Sequence, residues 1–322
     1  MRGRIRRALG ILLVLPVLVA TAYTAQAGEK VSLRLNWLAD AGVVPHYLAA
    51  TKKGFYAEEG LEVEILRGTG SGDAVKLIGA GQNTFGQADV VSIIQARVLD
   101  VPVKAVMAVD AQNPFVILAT KKSGIKKLQD LAGHTAGVVP GGSPYWIYKA
   151  VLKMNNIDAG KIREATVPPP GYAQLVQGLV DFINTFDNAT AIVRSMAPEE
   201  ITVLRGVDHG LDIYGVMVIV NERTIRDKPE TIRRFLRAAK KGMDYTREHP
   251  EDLADMLVEA YPALKRPVQL GILRHWIPYW VKSDNTISAD RMAKTQELLF
   301  TQGVIPRTVD VRAFFTNDFV PR

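Results

Sequence analysis

The chain has 322 residues, 48% of them apolar, no cysteine and a formal charge of +7. That length can bury one large core or two smaller ones, and the composition excludes a disordered chain. Without cysteine there are no disulfides, no thiol nucleophile and no residue for a bacterial lipid anchor.

The first residues read as an export signal. Arg2, Arg4, Arg6 and Arg7 precede an apolar run from Leu9 to Ala20, broken by Pro16, and Ala25-Gln26-Ala27 has the small-x-small form of a cleavage site. A run of about a dozen residues falls short of the roughly 20 that a spanning helix needs. We therefore expect cleavage after Ala27 and an unanchored periplasmic product. Removing residues 1–27 takes four arginines and no acid, bringing the formal charge from +7 to +3. No strong nucleic-acid footprint remains.

From Val31 to Leu66 the sequence reads strand, bend, helix, strand. Val31, Leu33 and Leu35 alternate with Ser32 and Arg34, and the strand runs straight into Asn36-Trp37. In open α/β sheets ligands gather beyond the carboxyl ends of strands, so a large ring beside an amide marks a candidate binding surface. Pro45 suits a first helical turn, Gly54 can close that helix, and Val63 and Ile65 start the next strand. Gly68, Gly70 and Gly72 then surround Ser71 ahead of an apolar helix face made by Val75, Leu77 and Ile78. Such a turn offers backbone N–H groups to a polar ligand, or is an ordinary turn in which Ser71 or Asp73 caps the helix. No Gly-Lys-Ser/Thr follows, which argues against nucleotide binding.

Phe85 to Val90 is a short strand ending at Asp89, which either caps the next segment or faces a cleft. Val103–Val109, Phe115–Thr120 and Thr135–Val139 are further strands, and strands alternate with helices throughout. After Pro140 come Gly141, Gly142 and Ser143, with Ser143 as a candidate N-cap and Pro144 as first helical residue. The amides there suit an anion, or the helix is simply capped. Pro168-Pro169-Pro170-Gly171 leads stiffly into a helix from Tyr172. The strand Asp181–Phe186 ends in Phe186, Asp187 and Asn188, a ring, a carboxylate and an amide together, or a plain Asx turn. Ile201–Leu204 and Val216–Val220 are the last strands, and the chain is helical from Thr231. Arg233, Arg234, Arg237, Lys240 and Lys241 form a solvated face rather than a nucleic-acid site. Trp276, Tyr279 and Trp280 favour core packing over ligand stacking.

Catalytic patterns fail when tested. His46, His134, His209, His249 and His275 stand in no zinc spacing, there is no GxSxG, and the carboxylates are not paired by any readable rule. We expect no catalytic residue, no cofactor and no metal.

Taken in order, LNW at Leu35, PHYLAATKKGFYAEEGLEVEI, GTGSG, GAGQNTFGQADV and VNERTIRDKPETIRRFLRAAKKGMDY resemble the periplasmic solute-binding proteins of ABC importers for thiamine pyrimidines, nitrate, sulfonates and taurine. The likeness covers nearly the whole mature chain and is nearest to the thiamine-pyrimidine branch. It implies an α/β, two-lobe, type II periplasmic-binding-protein fold, each lobe a mostly parallel sheet flanked by helices, with the ligand between the lobes. Residues 28–118 and 216–322 would form the first lobe and 119–215 the second, with crossings near Leu118–Thr120 and Tyr214–Val216. It also implies ligand contacts from Asn36, Trp37, Ser71, Asp89, Gly141, Gly142, Ser143, Phe186, Asp187 and Asn188. The implied role is that of a monomer delivering a small polar ligand to a membrane permease and its ATPase. The ligand would be pyrimidine-like, with nitrate, a sulfonate such as taurine or an aromatic carboxylate as the alternative. A related fungal pyrimidine synthase consumes its own histidine and carries a cysteine-rich motif. Here the pyrimidine branch's histidine position is Val44, His46 lies two residues later, and there is no cysteine. The enzyme reading is therefore not adopted.

Overall fold

The computed structural model describes residues 28–197, 200–282 and 284–321. The expected export signal lies outside them.

In chain order the first part comprises β1 (Glu29–Arg34), α1 (Pro45–Lys52), α2 (Phe55–Glu58), β2 (Leu61–Leu66), α3 (Ser71–Gly79), β3 (Phe85–Asp89), α4 (Val90–Val98) and β4 (Val103–Ala108). The second comprises β5 (Phe115–Thr120), β6 (Thr135–Val138), α5 (Ser143–Met154), β7 (Arg163–Thr166), α6 (Tyr172–Val176), β8 (Phe182–Phe186), α7 (Asn188–Met196) and β9 (Ile201–Arg205). Then follow β10 (Val216–Asn221), α8 (Glu222–Asp227), α9 (Pro229–Glu248), α10 (Pro250–Ala260), α11 (Arg266–Trp276) and α12 (Ala289–Thr301). Pro at the first or second helical position starts α1, α5, α9, α10 and α11, where its missing N–H costs nothing.

Two five-stranded sheets result, ordered β2-β1-β3-β10-β4 and β7-β6-β8-β5-β9. This is an α/β fold of two lobes. Each sheet is mostly parallel, as expected, with one antiparallel strand: β1 runs parallel to β2 and β3, and β6 to β7 and β8, whereas β10 and β5 are antiparallel to both of their neighbours. The reason is chain entry. β5 and β10 are the strands by which the chain enters each sheet from the other, and no crossover helix forces them parallel.

The chain leaves the first sheet after Ala108 and joins the second at Phe115, then leaves the second after Arg205 and rejoins the first at Val216. The first crossing therefore lies at 109–114. Leu118–Thr120, where it was expected, is inside β5, with Leu118 and Ala119 paired on both sides and Thr120 paired with Ile201. The two crossings are tied side by side. Asp110 N–H donates to Val216 O at 3.0 Å, and Gly215 N–H donates to Asp110 O at 3.2 Å. Asn113 Nδ2 donates to Tyr214 O at 3.0 Å. A methyl on Gly215 would lie 2.7 Å from Asp110 Cβ, so glycine permits the approach.

One apolar cluster lies under α1, α9 and α10, where Phe235 stacks on Phe85 with ring centres 3.8 Å apart. Another joins α4, β4, α5 and α12 across both lobes. The basic side chains of α9 face water, as expected, and are met there by acids. Arg234 pairs with Glu29 at 2.5 Å, Arg237 with Glu59 at 2.7 Å and Lys241 with Glu58 at 2.8 Å. Among the described residues no helix is long and apolar enough to cross a membrane.

Candidate functional site

A cavity of about 370 Å³ lies between the lobes, within the size range of small-molecule sites. The expected residues Asn36, Trp37, Ser71, Asp89, Gly141, Gly142, Ser143, Phe186 and Asn188 all line it, brought together from positions up to 152 residues apart in the chain (36 to 188). Asp187 does not line it. Its carboxylate accepts from Thr190 Oγ1 at 2.6 Å and Tyr279 OH at 2.7 Å, and stands 3.5 Å from Arg205 Nε. That group is occupied in tying α7 to the residues after α11.

The first lobe presents a hydrogen-bonded wall. Ser71 Oγ accepts from Asn36 Nδ2 at 3.3 Å and from Asp89 N–H at 3.1 Å, which leaves its own hydrogen to donate. Asn36 Oδ1 is buried and has no partner, so an acceptor stands ready in a cavity wall. Asp89 both caps α4 and lines the cavity: Oδ1 accepts from Val91 N–H at 2.9 Å and Oδ2 from Asn113 Nδ2 at 2.8 Å. Burial pushes its carboxyl up to about 7, against the pull of those two donors. The expectation of Ser71 as a cap is corrected. α3 begins at Ser71 with Gly70 as its N-cap, and Gly68 sits so close to Leu35 O that only a hydrogen fits.

The second lobe presents helix starts and rings. Ser143 is likewise the first residue of α5, not its cap, and Gly142 holds that place with no side-chain bond. Ser143 Oγ lies 3.0 Å from Ser92 Oγ of α4, a contact between lobes. Phe186, Tyr172, Pro169 and Pro170 add apolar wall, and Lys76 and Asp73 of α3 stand at the same cavity.

Trp276 is buried in the core, as expected, and also has a cavity role that sequence reasoning missed. It lines the cavity from α11, and the aromatic cluster Trp276, Tyr279, Trp280 was a signal assigned to the core. Tyr279 and Trp280 pack inside as well; Trp280 lies against His46, ring centres 5.2 Å apart. His46 is buried, does not line the cavity, and finds no partner for either ring nitrogen. Burial, reinforced by the charge of Arg247, lowers its ring to about 3 and keeps it neutral. Among the described residues no group of His, Cys, Asp and Glu could hold a metal ion.

Residues 43–253 match the family model described as NMT1/THI5 like. The chain belongs to this family. Among its relatives, the 4-amino-5-hydroxymethyl-2-methylpyrimidine phosphate synthase of Legionella pneumophila is 27% identical over 299 residues, covering 91% of this chain and 93% of that one. The formylaminopyrimidine-binding protein of Halalkalibacterium halodurans is 27% identical over 254 residues, covering 78% and 76%. The periplasmic aliphatic sulphonate binding protein SsuA of Escherichia coli superposes with a TM-score of 0.71 at 18% identity, covering 89% and 91%, which shows the shared fold. These sequence relatives thus include a protein named as a synthase and one named as a binder.

Proposed function

We propose that this chain is the periplasmic solute-binding component of an ABC importer, and that it closes its lobes over a flat, uncharged heteroaromatic ring of the aminopyrimidine kind. The observation that carries the reading is the pairing of aromatic walls with neutral hydrogen-bonding groups in one interlobe cavity. Asn36 Oδ1 would accept from an exocyclic amine, and Ser71 would donate to a ring nitrogen. Asp89, raised by burial, is poised to act as either partner near neutral pH. Among the lining residues the ionisable groups besides Tyr172 are Lys76, Asp73 and Asp89, with no arginine. That balance suits a neutral or weakly basic ring better than a sulfonate.

Trp37 is read as the stacking platform. Covering an indole removes about 150–250 Å² of apolar surface, roughly 4–6 kcal/mol gross, whereas micromolar affinity needs about 8 kcal/mol net. The polar wall must therefore contribute.

A second reading, an oxyanion ligand, draws on α3 and α5, whose starts line the cavity with no side-chain cap. An enzyme that spends its own histidine is disfavoured, because His46 lies outside the cavity. Mass spectrometry of ligand carried through purification tests all three. Paired with it, a thermal-shift comparison of 4-amino-5-hydroxymethyl-2-methylpyrimidine with an alkanesulfonate should stabilise only with the pyrimidine. Stabilisation only by the sulfonate would replace the first reading with the second.

A further inference from the structure

The lobes meet at a buried carboxylate. Asp40, in the segment between β1 and α1, accepts from Gly42 N–H of its own segment at 2.8 Å. It also accepts from Asn188 Nδ2, at the first residue of α7 in the other lobe, at 2.9 Å. Gly42 and Asn188 both line the cavity; Asp40 stands behind them. A methyl on Gly42 would lie 2.9 Å from Asn188 Cβ, so the two segments are in close contact. The groups around the carboxyl are neutral. They are Asn188 of α7, Tyr172 of α6, whose phenol the Asp40 charge pushes further up, and Gln269 of α11, which accepts from the neighbouring Ala41 N–H at 2.9 Å. Among the described residues no lysine, arginine or histidine pairs with Asp40.

We propose that Asp40 is a positioning residue that couples closure of the lobes, and with it ligand capture, to uptake of a proton. The ligand half of this rests on reading the cavity as the ligand site. When the lobes part, the carboxyl meets water and titrates near its ordinary value of about 3.9. When they close, burial raises it to about 6, while the Asn188 and Gly42 donors hold it from rising further. The closed form thus binds more protons between about pH 4 and 6. Closure is favoured as pH falls through 6, levels off below about 4, and loses that advantage as pH rises through 6. Asn188 can serve both states, offering its amide N–H to a carboxylate or, turned over, its carbonyl to a protonated acid. Asp89 and Asp110 are also raised by burial, each to about 7, but their hydrogen-bond partners lie in the first lobe and the crossings. Of the three, Asp40 is the one whose carboxylate accepts a hydrogen bond from the opposite lobe.

The test uses the mature full chain. Small-angle scattering without ligand, from pH 7.5 to 4.5, should show the wild type becoming more compact on acidification, whereas Asp40→Asn should hold one size throughout. Calorimetry with 4-amino-5-hydroxymethyl-2-methylpyrimidine as probe should show Kd tightening about tenfold from pH 7 to 5, and Asp40→Asn losing about that factor. Unchanged wild-type dimensions, or an Asp40→Asn protein that keeps both pH dependences, overturns the proposal. Should circular dichroism show Asp40→Asn unfolded, Asn188→Ala takes its place. Loss of the acid compaction supports the latch and its retention overturns it. A probe that fails to bind while the scattering still responds to acid sinks the ligand reading and leaves the latch standing.

Discussion

The two lobes share one strand order and solve different problems with it. With the entry strand set aside, the first strand in each lies between the second and third, and the antiparallel entry strand separates the third from the last. At the cavity they diverge. The first lobe offers side-chain hydrogen bonding from Asn36, Ser71 and Asp89, held by contacts within that lobe and from Asn113 of the first crossing. The second offers the Gly141–Ser143 helix start together with Phe186, Tyr172 and two prolines. Shared topology fixes where strand ends and helix starts converge, and the residues placed there decide the chemistry.

Glycine gives the sharpest way to break this comparison. A methyl on Gly68 would lie 1.9 Å from Leu35 O, against backbone that cannot yield without moving Asn36 and Trp37. Gly141 has open space around it but a φ of +83°, so a side chain there is strained without colliding. Gly68→Ala should therefore cost about 3 kcal/mol or more of stability and abolish binding. Gly141→Ala should cost about 1–2 kcal/mol and leave the protein folded. Chemical denaturation of both variants measures the difference. Equal costs would mean that the two glycine turns do the same job.

The aromatic walls come next. Trp37→Ala should weaken binding by about 2 kcal/mol, some thirtyfold in Kd, with little change in melting. Phe186→Ala removes a smaller ring and should cost less. Fluorescence titration of both variants ranks the walls, and a larger loss at Phe186 would move the stacking platform to the second lobe.

Much of this was legible because it is local. Strand alternation, the proline starts of α1 and α5, and the glycine turns each act within a few residues, and strand ends in an α/β chain point to one edge. Nonlocal facts were not legible. Phe115–Thr120 reads as a strand, but nothing within it says which sheet it joins, so the first crossing was placed too late. Trp276 is core, as its aromatic neighbours suggested, and the sequence does not tell that it also lines a cavity, because cavity and core are both apolar. Asp187 carries the right chemistry for a ligand contact, yet its partners Tyr279 and Arg205 come from elements that sequence alone does not bring near. Asp40 gave no signal, because its partner is 148 residues away.

The smallest expected effect separates the lobes by how they treat acids. Asp187 of the second lobe has an arginine 3.5 Å away, whereas Asp110, at the first crossing, has a neutral backbone donor, Val216 N–H at 3.1 Å. Burial, less the pull of Val216 and with a further push from the Asp89 charge, raises the Asp110 carboxyl to about 7. An acid raised in the folded state binds more protons there than in the unfolded chain. Its contribution is therefore fully present below the unfolded value near 3.9 and is lost as pH rises to about 7. The unliganded protein should melt a few degrees higher at pH 5 than at pH 8. Asp110→Asn should narrow that gap, since an amide keeps an oxygen for Val216 N–H and carries no charge to desolvate. Arg205→Gln should leave the gap in place, because it alters the acid of the other lobe. If Arg205→Gln instead removes the gap and Asp110→Asn does not, the pH dependence belongs to the second lobe and the contrast drawn between the lobes is reversed.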